Sequence, residues 1–130
     1  MRLLLDTHVA LWAVTLHPRL SPKAADLIAD PDNEILVSVA SLWEIAIKHA
    51  QARRPGDMPM SAKQALESFL AAGYALLGVS AEHALAVGDL PLVHRDPFDR
   101  LLVAQSLTEP LRLVTHDRKL AAYSDTVILV

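Results

Sequence analysis

Four acidic residues lie where apolar sequence would otherwise continue: Asp6, Glu44, Asp99 and Asp117. A carboxylate beside a hydrophobic core is unfavourable unless it is paired, hydrogen-bonded or bound to a metal. Because the pattern recurs at four places, we predict that these residues converge on one acidic pocket, whose self-repulsion favours a divalent cation. Carboxylate oxygens select a hard ion, Mg²⁺ or Mn²⁺. Such ions promote phosphodiester hydrolysis by activating water, so the residues point to that chemistry.

Apolar, strand-like segments alternate along the chain with segments of helical spacing. The expected strands are 2–5, 34–37, 74–79, 112–115 and 127–130. Four short helices are expected at 8–15, 22–29, 80–87 and 118–122. Three longer helices are expected: one from Ser38 or Ser41 to about 52, one from 61 to about 73, and one that begins at Asp96 and Pro97. This alternation predicts an α/β fold in which helices cover both faces of a central parallel sheet.

The predicted sheet places the acids at one edge. Ligands of such sheets bind beyond the carboxyl ends of the strands. Asp6 and Asp117 directly follow predicted strands, and Glu44 and Asp99 lie in early turns of helices that can face the same edge. The most loop-like part of the chain is 54–60.

Three of the acids also have purely structural interpretations. Asp6 and Asp117 can each cap the helix that follows it. Asp96 and Asp99 resemble a capping box, with Pro97 at the first helical position. These interpretations explain the acids one at a time, but they do not explain why all of them share one edge of the sheet. We therefore favour a functional site.

Glu44 is harder to explain as a surface residue. Ser41 and Glu44 match a capping box, and Lys48 follows one turn later at the spacing of an ion pair. Trp43 and Ile45 nevertheless surround Glu44 with apolar side chains. A purely solvated role for Glu44 is therefore unfavourable.

The composition bounds the class of protein. We expect the 130 residues to form a single domain, 1–130, that is large enough for a hydrophobic core. The net charge of −3 does not by itself indicate nucleic-acid binding, but Arg95, Arg100 and Arg118 lie near the acids and are candidates for contacting substrate phosphates. Hydrophobic residues form 52% of the chain and the mean hydropathy is +0.29, which favours an apolar surface that a partner covers.

Several chemistries are excluded by residues that the sequence lacks. The absence of cysteine removes disulfides, thiolate metal sites and cysteine nucleophiles. No P-loop, dinucleotide-binding motif or G-x-S-x-G motif is present. His8, His94 and His116 lack the spacing of a zinc site, and we expect them to form hydrogen bonds or to contact substrate. No apolar run has the roughly 18 residues of a membrane span, and we expect a soluble cytoplasmic protein.

Four sequence blocks together resemble a known family. They are residues 3–8 (LLLDTH), 37–45 (VSVASLWEI), 94–105 (HRDPFDRLLVAQ) and 113–117 (LVTHD). In this order and at this chain length, the sequence resembles a PIN-domain ribonuclease, and in particular a VapC-type toxin of a bacterial or archaeal toxin–antitoxin pair. The resemblance covers nearly the whole chain.

The resemblance implies a three-layer α/β/α sandwich around the parallel sheet. It also implies that the principal ligands of Mg²⁺ or Mn²⁺ are Asp6, Glu44 and Asp99, with Asp117 at a more variable fourth position that can act through water. The supporting side chains at matching positions are Asp96, Thr7 and Thr115. Members of the family usually form homodimers. A small antitoxin inhibits them by wrapping its C-terminal segment around the toxin, often with a basic side chain in the acidic pocket.

The implied function is that of a metal-dependent endoribonuclease, the toxin component of a type II toxin–antitoxin system. Water would attack phosphorus and the 3′ oxygen would leave, giving 5′-phosphate and 3′-hydroxyl ends. Since water is the nucleophile, the 2′-hydroxyl is not required, and the choice of RNA over DNA rests on the resemblance alone. Two alternatives stay open: a metal-dependent DNA nuclease or other phosphoesterase, and a non-catalytic module whose acids dock a basic peptide.

Overall fold

A central sheet of parallel strands organises the chain. The computed structural model describes residues 1–54 and 56–130, and within these ranges it contains five β-strands and seven α-helices. The strands are β1 Arg2–Leu5, β2 Glu34–Ser38, β3 Ala75–Leu77, β4 Arg112–Thr115 and β5 Ile128–Leu129. Their order in the sheet is β3-β2-β1-β4-β5, and every neighbouring pair is parallel. The prediction of a parallel sheet is confirmed.

Helices connect the strands and cover the sheet. They are α1 Thr7–Thr15, α2 Pro22–Ala29, α3 Val39–Gln51, α4 Ala62–Ala71, α5 Ala81–Val87, α6 Pro97–Thr108 and α7 Arg118–Ala121. Local sequence signals set several of the helix starts. The hydroxyls of Ser21, Ser61 and Ser80 each accept a hydrogen bond from a backbone N–H in the first turn of the helix that follows.

Two apolar layers lie on opposite faces of the sheet, because successive strand residues point to opposite sides. Leu3 and Leu5 of β1 belong to one buried cluster, together with Phe69 of α4. Leu4, the residue between them, belongs to the other cluster, together with Leu102 of α6. Helices therefore pack on both faces of the sheet, and the expected three-layer α/β/α sandwich is confirmed.

The order of the strands creates a switch point at the centre of the sheet. From β1 the chain proceeds outward through β2 and β3, and it then returns to the other side of β1 with β4 and β5. β1 and β4 are neighbours, with Leu5 opposite Val114. Open parallel sheets bind ligands beyond the carboxyl ends of the strands at such a point. The next residues along the two strands, Asp6 and Thr115, stand at this position.

The structure differs from the sequence-based expectation at the sheet edges and at one helix start. The strands expected at 74–79 and 127–130 are shorter than predicted, because β3 and β5 are edge strands with a paired neighbour on one side only. The helix expected to begin after Ser38 or Ser41 begins after Ser38, whose hydroxyl accepts a hydrogen bond of 3.0 Å from the Ala40 N–H. Ser41 is therefore not its N-cap.

Two further expectations concern the loop before α4 and membrane-spanning helices. The expected loop at 54–60 includes Pro55, which lies outside the described residues, and residues 56–60 form turns and bends. In the described ranges, no helix is both long and apolar enough to cross a membrane.

Candidate active site

Asp6 follows β1 at the centre of the sheet and is almost fully buried, with 3% of its surface exposed. Its Oδ2 accepts a hydrogen bond of 2.6 Å from the hydroxyl of Thr115, the last residue of β4. Asp6 occupies the N-cap position of α1, yet α1, whose residues are all described, receives no capping hydrogen bond from this carboxylate. The helix-capping interpretation is therefore wrong for Asp6. The register of β1 and β4 places its side chain against Thr115 instead.

Glu44 approaches the same edge of the sheet from the second turn of α3 and is also buried. Thr7 Oγ1 lies 2.8 Å from Glu44 Oε1 and 2.8 Å from Ser41 Oγ. Because a carboxylate only accepts, the single Thr7 proton is donated to Glu44, and the Ser41 hydroxyl can donate to Thr7 in turn. Lys48 Nζ lies 2.5 Å from Glu44 Oε2, which confirms the expected ion pair. The expected capping box is wrong, since Ser38 caps α3 and Ser41 supports Thr7.

Asp99 reaches the site from the first turn of α6. Asp96 Oδ1 accepts hydrogen bonds from the N–H groups of Phe98 at 2.8 Å and Asp99 at 3.3 Å, so Asp96 caps this helix as the sequence predicts. The reciprocal half of the expected capping box is different, because the Asp96 N–H donates to His94 Nδ1 at 3.0 Å. The carboxylate of Asp99 is thereby left for the site.

His94 connects Asp99 with Asp117. Its Nε2 lies 3.0 Å from Asp117 Oδ2 and 3.3 Å from Asp99 Oδ2. Since Nδ1 accepts the Asp96 N–H, Nε2 carries the ring proton and donates it toward these carboxylates. Asp117 also accepts the Lys119 N–H at 2.9 Å through Oδ1, and so caps α7 as expected. The expectation that His94 forms hydrogen bonds is confirmed, but its position between two of the acids was not predicted. The only available signal was its place two residues before Asp96, in the same sequence block.

The electrostatics indicate that the acids face one another. Burial, which is the largest cause, and the negative charges of Asp6, Asp96, Glu44 and Asp117 together raise the pKa of Asp99 to about 8. Carboxylates that raise each other's pKa share a site in which the negative charge exceeds the nearby positive charge. A divalent cation would neutralise that site.

The other two perturbed carboxylates shift in opposite directions. Burial raises the pKa of Asp6, although the Thr115 hydrogen bond lowers it in part. For Asp117, slight burial acts upward, but hydrogen bonds from the Lys119 N–H and from His94 hold its pKa below the ordinary value. Asp117 is therefore the acid of this group whose charge is best stabilised without a metal.

The donor set fits a hard divalent cation. Asp6, Glu44, Asp99 and Asp117 present oxygen atoms, the ligands that Mg²⁺ and Mn²⁺ prefer. One donor atom from each of His94, Asp99 and Asp117 lies within 4.8 Å of the others. His94 belongs to this group by distance, but the proton on Nε2 makes it a hydrogen-bond donor to the carboxylates rather than a metal ligand.

The three arginines that were candidates for phosphate contacts occupy different environments. The Arg100 guanidinium donates to carbonyl oxygens of residues 87–91 and to the Tyr123 hydroxyl, at 3.0 to 3.4 Å. These bonds hold the segment that precedes α6, so we withdraw Arg100 from the phosphate candidates. Arg95 and Arg118 are exposed next to Asp96 and Asp117 in sequence, and they stay candidates.

The sequence profile of the PIN domain matches residues 3–125. The chain belongs to the PIN domain family. It is also 32% identical over 131 residues to ribonuclease VapC22 of Mycobacterium tuberculosis, and that match covers 92% of this chain and 90% of the relative. The resemblance recognised from the four sequence blocks is confirmed.

Solved structures show the same PIN-domain fold. VapBC2 from Rickettsia felis, bound to a DNA fragment from their promoter, has a TM-score of 0.70 at 20% identity, covering 100% of this chain and 98% of that chain. DNA-bound VapBC from Salmonella typhimurium has a TM-score of 0.67 at 13% identity, covering 100% and 97%. PAE2754 from Pyrobaculum aerophilum has a TM-score of 0.63 at 16% identity, covering 100% and 84%. At these identities the likeness concerns the fold alone.

This PIN domain brings the sequence-predicted carboxylates and hydroxyls to one edge of the sheet. They are Asp6, Thr7, Glu44, Asp96, Asp99, Thr115 and Asp117. The side chains that sequence analysis missed are Ser41, which supports Thr7, and His94, which joins two of the acids. Their roles depend on contacts between elements that are distant in sequence.

Proposed function

We propose that this chain is a metal-dependent endoribonuclease and the toxin of a type II toxin–antitoxin pair. The observation that carries the proposal is the convergence of four carboxylates at the β1–β4 switch point, where the charges of the other acids raise the pKa of Asp99. Membership of the PIN domain family and 32% identity to a ribonuclease support RNA as the substrate. A cytoplasmic location, where RNA and an antitoxin are available, is part of this proposal.

The side chains proposed to hold Mg²⁺ or Mn²⁺ are Asp6, Glu44 and Asp99, with Asp117 acting through water. When bound, the ion supplies a water nucleophile at neutral pH and stabilises the charge that develops on the phosphate. Thr115 and Thr7 orient Asp6 and Glu44 through hydrogen bonds of 2.6 and 2.8 Å. Such partners of metal ligands fix the ligand geometry.

Two further side chains control the charge around the acids. Lys48 neutralises one oxygen of Glu44 while the other oxygen accepts the Thr7 hydroxyl. Because 42% of the Lys48 side chain is exposed, its ammonium can also meet a substrate phosphate that approaches the acids. His94 donates toward Asp117 and holds it close to the other carboxylates.

The proposed reaction is hydrolysis of an RNA phosphodiester bond. Water adds to phosphorus, the bond from phosphorus to the 3′ oxygen breaks, and the products carry a 5′-phosphate and a 3′-hydroxyl. Since no step uses the 2′-hydroxyl, cleavage of DNA is the direct alternative.

The decisive experiment compares RNA and DNA of equal sequence. The purified protein is treated with a chelator and then supplied with Mg²⁺, Mn²⁺ or Zn²⁺. We expect cleavage of RNA with Mg²⁺ or Mn²⁺, 5′-phosphate ends on the products, and no activity in Asp99→Asn. Asp125→Asn, at an exposed aspartate outside the site, is the matched control and should cleave like the wild type.

Each rival has a distinct outcome in this experiment. Wild-type cleavage by Asp99→Asn would remove the site assignment, and restoration by Zn²⁺ alone would contradict an all-oxygen site. Preferential cleavage of DNA would favour the DNA nuclease. Binding of a basic peptide without any metal-dependent turnover would favour the non-catalytic docking module.

Exposed apolar surface supports a partner. Trp43 on α3 is 61% exposed, and its ring centroid lies 5.1 Å from that of Phe98 on α6. Together with Val87 of α5 and Leu101 of α6, these rings line a groove of about 280 Å³. We propose that this surface forms a homodimer interface and that a cognate antitoxin covers further surface of the chain. The apolar side chains of α2, Leu27 and Ile28, pack against the core, so α2 is not an exposed apolar surface for that contact.

Light scattering tests the proposed homodimer, and co-purification tests the proposed antitoxin. We expect light scattering to show a dimer and Trp43→Asp to reduce it to a monomer. Leu92→Asp, at a residue that is 78% exposed outside this groove, should remain dimeric. A monomeric wild-type protein that retains no partner from its own operon would contradict the proposal.

A further inference from the structure

A second cleft adjoins the acidic site. It is lined by α1, by the turn at 16–19 and by the segment 56–59, and its volume is about 470 Å³. This volume falls within the range of about 300–1,000 Å³ that is typical of small-molecule sites. The cleft is therefore large enough for one nucleobase.

Trp12, which lines this cleft, is the centre of an aromatic cluster. Its ring centroid lies 4.8 Å from that of His116, 5.9 Å from that of His8 and 5.9 Å from that of His17, with 25° between the Trp12 and His17 planes. Arg19 Cζ lies 5.1 Å from the Trp12 ring centroid. Trp12 is partly exposed and the other four residues are exposed, so the cluster is not part of the hydrophobic core.

The cluster reaches the acidic site through two histidines. His116 Nδ1 lies 3.9 Å from Asp6 Oδ2, and the His116 ring also contacts Trp12. His8 is two residues from Asp6, and its ring lies 5.8 Å from the His116 ring in an edge arrangement. The rings of His116 and His8 both lie against Trp12. If the cleaved phosphate of an RNA strand lies at the acidic site, a neighbouring base of that RNA can therefore reach the aromatic cluster.

We propose that this cleft binds one nucleobase of the RNA substrate beside the cleaved phosphate, with Trp12 as the stacking surface and Arg19 as a cationic contact. The inference rests on the proposed ribonuclease function. Aromatic side chains stack on bases of any identity, because every base has a π face, and arginine adds cation–π and phosphate interactions. The exposed Arg19 guanidinium over the Trp12 ring suits a polyanion better than an apolar peptide.

Two substitutions of Trp12 separate stacking from packing. Trp12→Phe keeps an aromatic surface, whereas Trp12→Leu keeps apolar volume without one. Loss of one base–aromatic stack predicts that Trp12→Leu raises the KM for RNA about 5- to 150-fold, with a much smaller change in kcat. Trp12→Phe should have a KM for RNA close to that of the wild type. Equal KM values in all three proteins would overturn the inference and leave the proposed ribonuclease function intact.

A binding measurement tests the same idea without cleavage. The chain has two tryptophans, so the full-length Trp43→Phe variant in chelator reports Trp12 alone. We expect short single-stranded RNA to quench its fluorescence, and the same RNA with abasic positions not to do so. The matched Trp12→Phe protein, which reports Trp43, should show no base-dependent change.

The outcomes are distinct from a failure of the proposed function. Absence of RNA cleavage by the wild type would contradict the ribonuclease proposal. The fluorescence experiment would still show whether the cleft binds a nucleobase, because it does not depend on cleavage. No quenching, or equal quenching by abasic RNA, overturns base stacking. Quenching only by a peptide of the operon partner overturns it as well and assigns the cleft to protein docking.

Discussion

His94 holds Asp117 through a hydrogen bond of 3.0 Å between Nε2 and Oδ2. The opposite ring nitrogen accepts the Asp96 N–H at 3.0 Å, which fixes the tautomer. The same Nε2 lies 3.3 Å from Asp99 Oδ2. One imidazole thus positions a carboxylate from the first turn of α6 and another from the start of α7.

Removing this imidazole should weaken metal binding. We expect His94→Ala to reduce Mn²⁺ affinity by about 10- to 100-fold, as loss of a hydrogen-bond partner of metal ligands commonly does. The pKa of Asp117 should also rise toward its ordinary value, because a hydrogen bond that lowers it is lost. Calorimetric titration measures the affinity, and carbon NMR measures the carboxyl titration. His94→Gln, which keeps a donor, should lose less affinity.

His49 offers the matched control for this prediction, since it is exposed on α3. His49→Ala should bind Mn²⁺ like the wild type. If His94→Ala also binds Mn²⁺ with wild-type affinity, His94 does not position the acids.

The raised pKa of Asp99 should make the stability of the metal-free protein depend on pH. The pKa of an aspartate is about 4 in an unfolded chain, whereas in the fold the pKa of Asp99 is about 8. Between these values the native state binds more protons than the unfolded state, so the free energy of unfolding falls as the pH rises and levels off above about pH 8. Melting temperatures in chelator should follow this trend.

Asp99→Asn should flatten this pH dependence, and Asp125→Asn should not. A second consequence concerns the metal, whose binding must remove the proton from Asp99. Mn²⁺ affinity should therefore increase up to about pH 8, and the measured binding enthalpy should vary with the ionisation enthalpy of the buffer. An affinity that does not change with pH would argue against a protonated Asp99 in the metal-free site.

The sheet and the acids were predictable because both depend on local patterns. An apolar strand at 2–5 is followed at once by Asp6, and parallel strands bring their carboxyl ends to one edge. Helix starts at Ser61, Ser80 and Asp96 also depend on neighbouring residues alone, and each begins the helix that was expected.

The errors come from contacts between distant elements. Ser41 matches a capping box with Glu44, but Thr7, which is far away in sequence, lies against its hydroxyl in the fold. Arg100 follows Asp99 and looks available for a phosphate, but the segment before α6 surrounds its guanidinium with carbonyl oxygens. The bridging role of His94 depends on that same irregular segment, for which no periodic pattern exists.

Substitution of Arg100 should lower the stability of the fold, whereas substitution of Arg118 should affect RNA binding only. Arg100→Gln removes the donor from carbonyl oxygens that are partly buried or exposed. We expect the free energy of unfolding in urea to fall by about 0.5–1.5 kcal/mol. Arg118 is exposed, so Arg118→Gln should change stability by no more than about 0.5 kcal/mol. If Arg118 contacts a phosphate, the same change should reduce the slope of log affinity against log salt by about 0.7 for single-stranded RNA.

Fluorescence anisotropy at several salt concentrations, in chelator, measures this slope. Arg95→Gln is tested in the same way, because Arg95 is exposed as well. An unchanged slope would remove the corresponding arginine from the phosphate contacts.

Glu44→Gln distinguishes a metal ligand from an ion-pair residue. Glutamine keeps the shape of the side chain and an oxygen that can accept the Thr7 hydroxyl. If Glu44 serves only its ion pair with Lys48, the substitution should lower the free energy of unfolding by about 0.2–0.5 kcal/mol, and by the same amount with and without metal. If Glu44 shares the pocket, its negative charge is among those that raise the pKa of Asp99 and Asp6. Removing that charge then relieves repulsion in the metal-free protein and weakens the native-state binding that stabilises the protein in Mg²⁺.

We expect the second pattern: a melting temperature in chelator at or above that of the wild type, and a smaller upward shift on adding Mg²⁺. Lys48→Met is the matched control, because it removes the same 2.5 Å ion pair but keeps the carboxylate. It should lower the melting temperature in chelator, since one more negative charge is left uncompensated, and retain the Mg²⁺ shift. Thermal melts of the three proteins decide between the roles. A lower melting temperature of Glu44→Gln in chelator, together with an unchanged Mg²⁺ shift, would take Glu44 out of the site.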